Sequence, residues 1–83
     1  GECDFLIKEK NKVVSAIQIC YSLEKENEER EVNGLIEAVH HNGLVNGLIL
    51  TYGDEKEFKQ DGVIIKVVPT WKWLLENQYI NLF

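Results

Sequence analysis

The residues of this chain best suited to chemistry stand near its beginning, in two short patterns. Glu2-x-Asp4 places two carboxylates two positions apart, and Gln18-x-Cys20 places an amide and a thiol at the same spacing. Side chains two positions apart on a β-strand point to the same side. If both segments are strands of one hairpin, these four polar or soft groups converge on one surface.

The two patterns lie in segments with the composition of strands. Residues 3–8 and 13–21 are rich in β-branched and aromatic side chains, and Lys10-Asn11-Lys12 between them supplies a short polar loop. These features predict a β-hairpin. Its apolar faces, the odd-numbered residues of 3–7 and of 17–21, coincide when opposed residue numbers add up to 22. This register places Asp4 opposite Gln18.

The same register places Glu2 opposite Cys20. The alternative is a two-residue loop at Asn11-Lys12, which would place Cys3 opposite Cys20. That pairing mixes apolar with polar faces, so the first register is favoured.

An amphipathic helix is predicted after the hairpin, following the acidic stretch 24–31. Asn27 is the expected N-cap, and Gly43 is the expected left-handed cap, so the helix runs from about residue 27 to residue 42. Its apolar stripe recurs at intervals of three and four residues: Val32, Leu35, Ile36 and Val39.

The second half of the chain supplies three strands and a helix. Residues 47–52 form an apolar run that suits a strand buried on both faces, and strand, helix and buried strand imply a right-handed parallel crossover. Residues 57–60 and 63–68 flank Asp61-Gly62, which predicts a second hairpin. A final helix starts at Thr70.

The apolar face of that final helix is expected to carry Trp71, Leu74 and Leu75, so that at least one indole lies in the core. The apolar tail 79–83 is expected to need a docking surface. The predicted fold class is therefore α/β, with a mixed sheet, one crossover helix and a C-terminal helix. The order is strand, strand, helix, strand, strand, strand, helix.

Length and charge limit the range of functions. The 83 residues, 9.6 kDa in mass, are expected to form a single domain over 1–83. The formal net charge of −5 argues against tight autonomous nucleic-acid binding, and no apolar run approaches the roughly 18 residues of a membrane span. Two cysteines without secretory features favour a cytoplasmic location. The absence of methionine indicates an excerpt of a longer polypeptide.

Several stretches, in order over nearly the full chain, carry a family resemblance. They are Glu2-Cys3-Asp4-Phe5, Ala16-Ile17-Gln18-Ile19-Cys20-Tyr21, Arg30-Glu31 with Leu35 and Ala38, Gly47-Leu48-Ile49-Leu50-Thr51-Tyr52, and Asp61-Gly62 leading to Val68-Pro69-x-Trp71-Lys72-Trp73-Leu74-Leu75. In these stretches the chain resembles the C-terminal nuclease-like domain of prokaryotic AAA-type P-loop ATPases, a domain of unknown function. The implied fold is a partial PD-(D/E)XK, or restriction-endonuclease-like, fold.

The resemblance assigns roles residue by residue. Asp4 matches the nuclease aspartate, Gln18 stands where the second carboxylate belongs, and Cys20 occupies the lysine position. The implied Mg²⁺ ligands are Glu2, Asp4 and Gln18, and the neutral amide attracts the ion less than an anion does. Cys20 supplies no ammonium to stabilise the charge on a phosphate in transit. The resemblance therefore implies a vestigial catalytic site.

As the resemblance implies, the chain is the C-terminal module of a cytoplasmic ATPase, docking on the upstream ATPase domain or on a partner rather than catalysing a reaction. ATP would bind upstream, because no Gly-Lys-Ser/Thr follows the glycines of 43–47. Two alternatives stay open. One is a metal-dependent nuclease with a weakened site at Asp4, Gln18 and Cys20, and the other is a stand-alone homodimeric interaction domain.

Overall fold

The computed structural model describes residues 4–81 of the chain. Within that range lie β1 (Phe5–Glu9), β2 (Lys12–Ile19), α1 (Glu28–His41), β3 (Asn46–Thr51), β4 (Lys56–Gln60), β5 (Val63–Pro69) and α2 (Thr70–Asn81). The strands form one five-stranded sheet in the order β1-β2-β3-β5-β4. Pairing is parallel at β2/β3 and β3/β5 and antiparallel at β1/β2 and β4/β5. The predicted α/β class, mixed sheet and order of elements are confirmed.

The first hairpin has the predicted register over its open end. Phe5 pairs with Ile17 and Leu6 pairs with Ala16, so opposed residue numbers add up to 22. The reason is the one that the sequence offers, because this pairing brings the more apolar sides of both strands together.

The closed end of the same hairpin differs from the prediction. A β-bulge between Ile7 and Lys8 shifts the register, and the strands are joined by Lys10 and Asn11, with φ angles of 52° and 68°. The predicted three-residue loop is therefore wrong, since Lys12 belongs to β2. The extra residue of the bulge lets a tight two-residue turn and the apolar register coexist in one hairpin.

The start of α1 lies where it was predicted, but Asn27 plays another role. Its side chain makes no hydrogen bond to the first turn of the helix. Instead, Asn27 Oδ1 accepts from the Glu24 backbone N–H at 2.8 Å, and Nδ2 donates to the Ser22 carbonyl at 2.9 Å. The amide therefore holds the preceding loop. The backbone of Asn27 is already helical, which differs from the extended conformation of most capping residues.

The end of α1 follows the prediction. Gly43 has a φ of 67°, and the Leu44 backbone N–H donates to the Val39 carbonyl at 2.9 Å. This is the arrangement of a Schellman motif, which requires a residue that tolerates the left-handed conformation. Glycine does so without a steric cost.

The hydrophobic core lies between α1 and one face of the sheet. At Gly47 the helix approaches β3 so closely that a Cβ atom would stand 2.7 Å from Leu35 Cγ. The close approach fixes how α1 seats on the sheet. The core comprises Ala16, Val32, Leu35, Ile36, Val39, Ile49, Val63, Ile65 and Val67.

The second hairpin places its two strands differently in the sheet. The chain passes from β3 to the edge strand β4 and returns through β5, which pairs with β3. Buried Val63, Ile65 and Val67 suit β5 to this interior place, while the charges Lys56 and Glu57 suit β4 to an edge that must not pair with other chains.

The final helix α2 packs on β5 and β3. The expected core position of Trp71 is wrong, because Trp71, Leu74 and Leu75 are 60%, 53% and 59% exposed. Trp73 is the half-buried indole. Because α2 starts directly after Pro69 without a loop, the direction of β5 sets which face of the helix meets the sheet. The side chains of the tail 79–83 lie outside the described residues. No helix in the described range has the length and apolarity to span a membrane.

Candidate functional site

The hairpin brings Asp4 and Gln18 together, as its register predicts. The Asp4 backbone N–H donates to Gln18 Oε1 at 3.2 Å, and Asp4 Oδ2 accepts from the Ile19 backbone N–H at 2.8 Å. The carboxylate thus takes the place of a backbone acceptor beyond the last ladder pair of β1 and β2. One oxygen of the predicted metal ligand Asp4 is engaged in holding the hairpin.

The Gln18 amide connects this hairpin to helix α1. Gln18 is only 6% exposed, and its Nε2 donates to Glu31 Oε2 at 2.5 Å. A hydrogen bond to a carboxylate is stronger than one between neutral groups. The Gln18 amide thus makes a hydrogen bond through each of its two polar atoms: Oε1 accepts from the Asp4 N–H, and Nε2 donates to the Glu31 carboxylate.

Cys20 lies next to this pair at the end of β2 and is half-buried. Burial, together with the negative charges of Glu31, Asp54 and Asp4, raises the pKa of the Cys20 thiol to about 11. The group is therefore a neutral thiol at physiological pH, whereas nucleophiles and metal ligands are thiolates.

Asp54, in the loop that follows β3, is the third of the acidic residues that act on Cys20. Its Oδ2 accepts from the Leu23 backbone N–H at 2.9 Å, and its carbonyl accepts from Thr51 Oγ1 at 2.9 Å. Thr70 Oγ1 in turn donates to the Thr51 carbonyl at 3.0 Å. These bonds tie the loop after β2, the loop after β3 and the start of α2 to one end of the sheet.

The group of residues at this end of the sheet, Asp4, Gln18, Cys20, Glu31 and Asp54, is negatively charged and well satisfied in its hydrogen bonds. In the described part of the chain, every buried side-chain nitrogen and oxygen has a hydrogen-bond partner. No three His, Cys, Asp or Glu side chains of residues 4–81 are grouped so that they could hold a metal ion. Glu2 lies outside the described residues. The Mg²⁺ site at Glu2, Asp4 and Gln18 stays a prediction.

Glu31 and Asp54 are not among the site residues that the sequence predicts. Glu31 stands one turn before Leu35, so it lies beside the buried stripe of α1 rather than on its solvent side. Asp54 follows the buried strand that leads to Tyr52, at the carboxyl end of a parallel strand, where polar loops gather in such sheets. Both signals were present in the sequence, but the first was hidden within the acidic run 24–31.

The opposite face of the sheet carries a different kind of surface. Between α2 and this face runs a groove, here called the second-face groove, with a volume of about 580 Å³. Its apolar lining includes half-buried Leu48, Val68 and Trp73 and exposed Ile64, and Lys66 and Glu76 also line it. The helix therefore leaves part of the apolar sheet uncovered.

Comparison with known proteins finds a similar segment in an archaeal protein. Over 81 residues the chain is 42% identical to the uncharacterized protein MJ1544 of the archaeon Methanocaldococcus jannaschii, and the match covers 89% of the chain. The match covers 18% of that protein, so the chain spans less than a fifth of the length of the curated relative it matches. No protein-family model and no solved structure matches the chain.

Proposed function

We propose that this chain is a catalytically inactive, nuclease-like C-terminal module of a longer AAA-type ATPase, and that it docks on the rest of that polypeptide. The proposal combines a restriction-endonuclease-like fold, a vestigial site at Asp4, Gln18 and Cys20, and a docking surface on the second face of the sheet. The observation that carries the docking role is the second-face groove.

The groove has the character of a contact surface. Ile64 is 39% exposed in it, beside half-buried Leu48. Contiguous apolar surface with a polar rim marks sites of association rather than ordinary solvent contact. Lys66, Glu57 and Glu76 supply such polar groups around the apolar lining.

The rest of a longer polypeptide is the occupant that we favour. The matched segment makes up 18% of the M. jannaschii protein, so a relative of this chain exists within a much larger protein. A partner in the same polypeptide is present at a high effective concentration, so a modest apolar groove suffices to hold it.

The bonding around the candidate site supports an inactive module. The Asp4 carboxylate already accepts from the Ile19 N–H, and the Gln18 amide is engaged at both of its polar atoms. Cys20 is a neutral thiol where a nuclease has an ammonium. A dication would compete with the bonds at Asp4 Oδ2 and at the Gln18 amide and would find one carboxylate fewer than in an active nuclease.

The docking role is tested by titrating the purified chain with the separately purified upstream part of its polypeptide in a calorimeter. Ile64→Lys places a charge in the second-face groove and is expected to weaken binding at least about tenfold, or 1.4 kcal/mol. The matched control is Val45→Lys, because Val45 is also an exposed apolar residue and does not line the groove. Equal effects of both substitutions would contradict the proposed surface.

The ATPase assignment has its own test in the encoding gene. The reading frame is expected to contain a Gly-Lys-Ser/Thr phosphate loop upstream of this chain. A frame without that loop removes the ATPase part of the proposal and leaves the docking part intact. A solution mass near twice 9.6 kDa for the chain by itself would favour the homodimeric alternative.

The nuclease alternative is tested directly. The purified chain with Mg²⁺ or Mn²⁺ is expected to cleave plasmid DNA no faster than a buffer blank. Cleavage that depends on the metal and disappears in the Asp4→Ala variant would establish the alternative instead.

A further inference from the structure

An open cleft with aromatic walls lies where β2 and β3 end. Its volume is about 530 Å³, and its lining includes Ile19 and Thr51 as well as three aromatic residues, Tyr21, Tyr52 and Trp71. We call it the aromatic cleft. It does not share lining residues with the second-face groove, so its role is separate from the docking proposed above.

The two tyrosines of the cleft are stacked on each other and face solvent. Their ring centroids are 5.2 Å apart, with an angle of 20° between the ring planes. The Tyr52 backbone N–H donates to the Tyr21 carbonyl at 2.9 Å, so both backbones are fixed beyond the ends of their strands. Tyr21 is 76% exposed and Tyr52 is 70% exposed. The fold therefore presents a preorganised aromatic surface that is not used in the core.

The two threonine hydroxyls in the cleft wall are already bonded within the protein. Thr51 Oγ1 donates to the Asp54 carbonyl, and Thr70 Oγ1 donates to the Thr51 carbonyl. The surface that remains consists mainly of the aromatic side chains and Ile19. The faces of aromatic rings are the negative part of the ring quadrupole, which attracts cations, and they also provide apolar contact surface.

The electrostatic surroundings favour a cation. Cys20, which also lines the cleft, lies within the influence of Asp4, Glu31 and Asp54, and these charges act with burial to raise its pKa to about 11. The chain as a whole carries a formal net charge of −5. A phosphate backbone would be repelled by this field, whereas a guanidinium or ammonium group would be attracted.

We propose that the aromatic cleft binds an arginine or lysine side chain presented by a basic peptide segment of a protein partner. The cation lies against the rings of Tyr21, Tyr52 and Trp71, and the acidic groups at the strand ends supply long-range attraction. The chemistry is that of cation–π recognition reinforced by negative charge.

The test is an NMR titration of the ¹⁵N-labelled 83-residue chain with the peptide Gly-Arg-Gly-Arg-Gly. Saturable changes in chemical shift are expected at the amides of Tyr21 and Tyr52 and at the Trp71 indole N–H, with a Kd on the order of a millimolar. The same peptide with glutamine or glutamate in place of arginine is expected to cause no saturable shift there.

Two variants locate the site. Tyr52→Ala is expected to weaken binding about two- to fivefold, since one exposed cation–π contact is lost, and Tyr52→Phe is expected to leave it unchanged. Val45→Ala is the matched control, because that exposed side chain lies before the start of β3, away from the cleft. Preserved amide spectra show that each variant is folded.

Three outcomes would overturn the proposal. Binding of the glutamine peptide as tight as that of the arginine peptide would leave an apolar contact only. Arginine-dependent shifts that are unaffected by Tyr52→Ala would place the binding elsewhere on the acidic surface. Saturable binding of a single-stranded oligothymidylate in the cleft would identify a base-stacking platform for nucleic acid instead.

Discussion

The two faces of the sheet are built from the same strands but are used in opposite ways. On one face, α1 covers Ala16, Ile49 and Ile65 and completes a core with fully buried Leu35 and Val39. On the other face, α2 packs on β3 and β5 and leaves apolar side chains in contact with solvent. The fold is therefore stabilised mainly from the α1 side, and the α2 side is available for association.

Truncation of one leucine on each helix should show most clearly how much each face of the sheet contributes to the free energy of unfolding. Leu35→Ala is expected to lower the free energy of unfolding by about 2–5 kcal/mol, because a fully buried side chain leaves a cavity. Leu74→Ala, at a side chain that is 53% exposed, is expected to change it by less than about 0.5 kcal/mol. Urea unfolding measures both. Similar losses would show that the α2 face contributes equally to the core.

The close contact between α1 and β3 allows a second test of the covered face. Gly47→Ala is expected to lower the free energy of unfolding by about 1–3 kcal/mol, because the added Cβ would lie 2.7 Å from Leu35 Cγ and force α1 away. Gly53→Ala is the matched control, since a Cβ there meets no atom within 4 Å. Unchanged stability of the first variant would mean that the helix shifts without cost.

The hydrogen-bonded network at the edge of the covered face is tested at Gln18. Gln18→Glu removes the donor to Glu31 and sets two carboxylates against each other, so a loss of about 1–3 kcal/mol in unfolding free energy is expected at neutral pH. The inactive-module proposal predicts that millimolar Mg²⁺ does not restore this loss in a thermal melt. If Mg²⁺ restored the stability of Gln18→Glu but not that of Gln18→Leu, the nuclease alternative would be favoured.

The smallest expected effect concerns the reactivity of Cys20. Its pKa of about 11 keeps the thiolate fraction low near pH 7.5, so alkylation by iodoacetamide is expected to be slow and to speed up as the pH rises toward 11. Asp54→Asn removes one of the negative charges that raise the pKa, so faster alkylation is expected at a given pH. Cys3→Ser in both proteins leaves Cys20 as the single thiol. A variant that reacts more slowly would contradict this account.

The sequence predicted the elements well because each has a local signal. The apolar stripe of α1, the positive φ at Gly43 and the Asp61-Gly62 turn all depend on residues close together in the chain. The register of the first hairpin was also predictable over its open end, since only one pairing brings the apolar faces together. The bulge between Ile7 and Lys8 could not be predicted. It arises because the tight turn at Lys10 and Asn11 and the apolar register at the open end require different registers of the same two strands.

The orientation of α2 could not be predicted from its own residues. Its densest apolar stripe, with Trp71, Leu74 and Leu75, points to solvent, and Trp73 turns toward the sheet instead. A helix of this length follows the packing that its neighbours permit, and here the direct junction with β5 decides that packing.

What the sequence determined by itself is the set of helices and strands, their order and the meeting of Asp4 with Gln18, because local patterning and strand pairing specify them. Only the tertiary structure brought Glu31 and Asp54 to the same end of the sheet as Cys20 and exposed Tyr21 beside Tyr52. Those neighbours are far apart in the chain and meet because the parallel strands β2 and β3 end at one edge, a relation that no local pattern encodes.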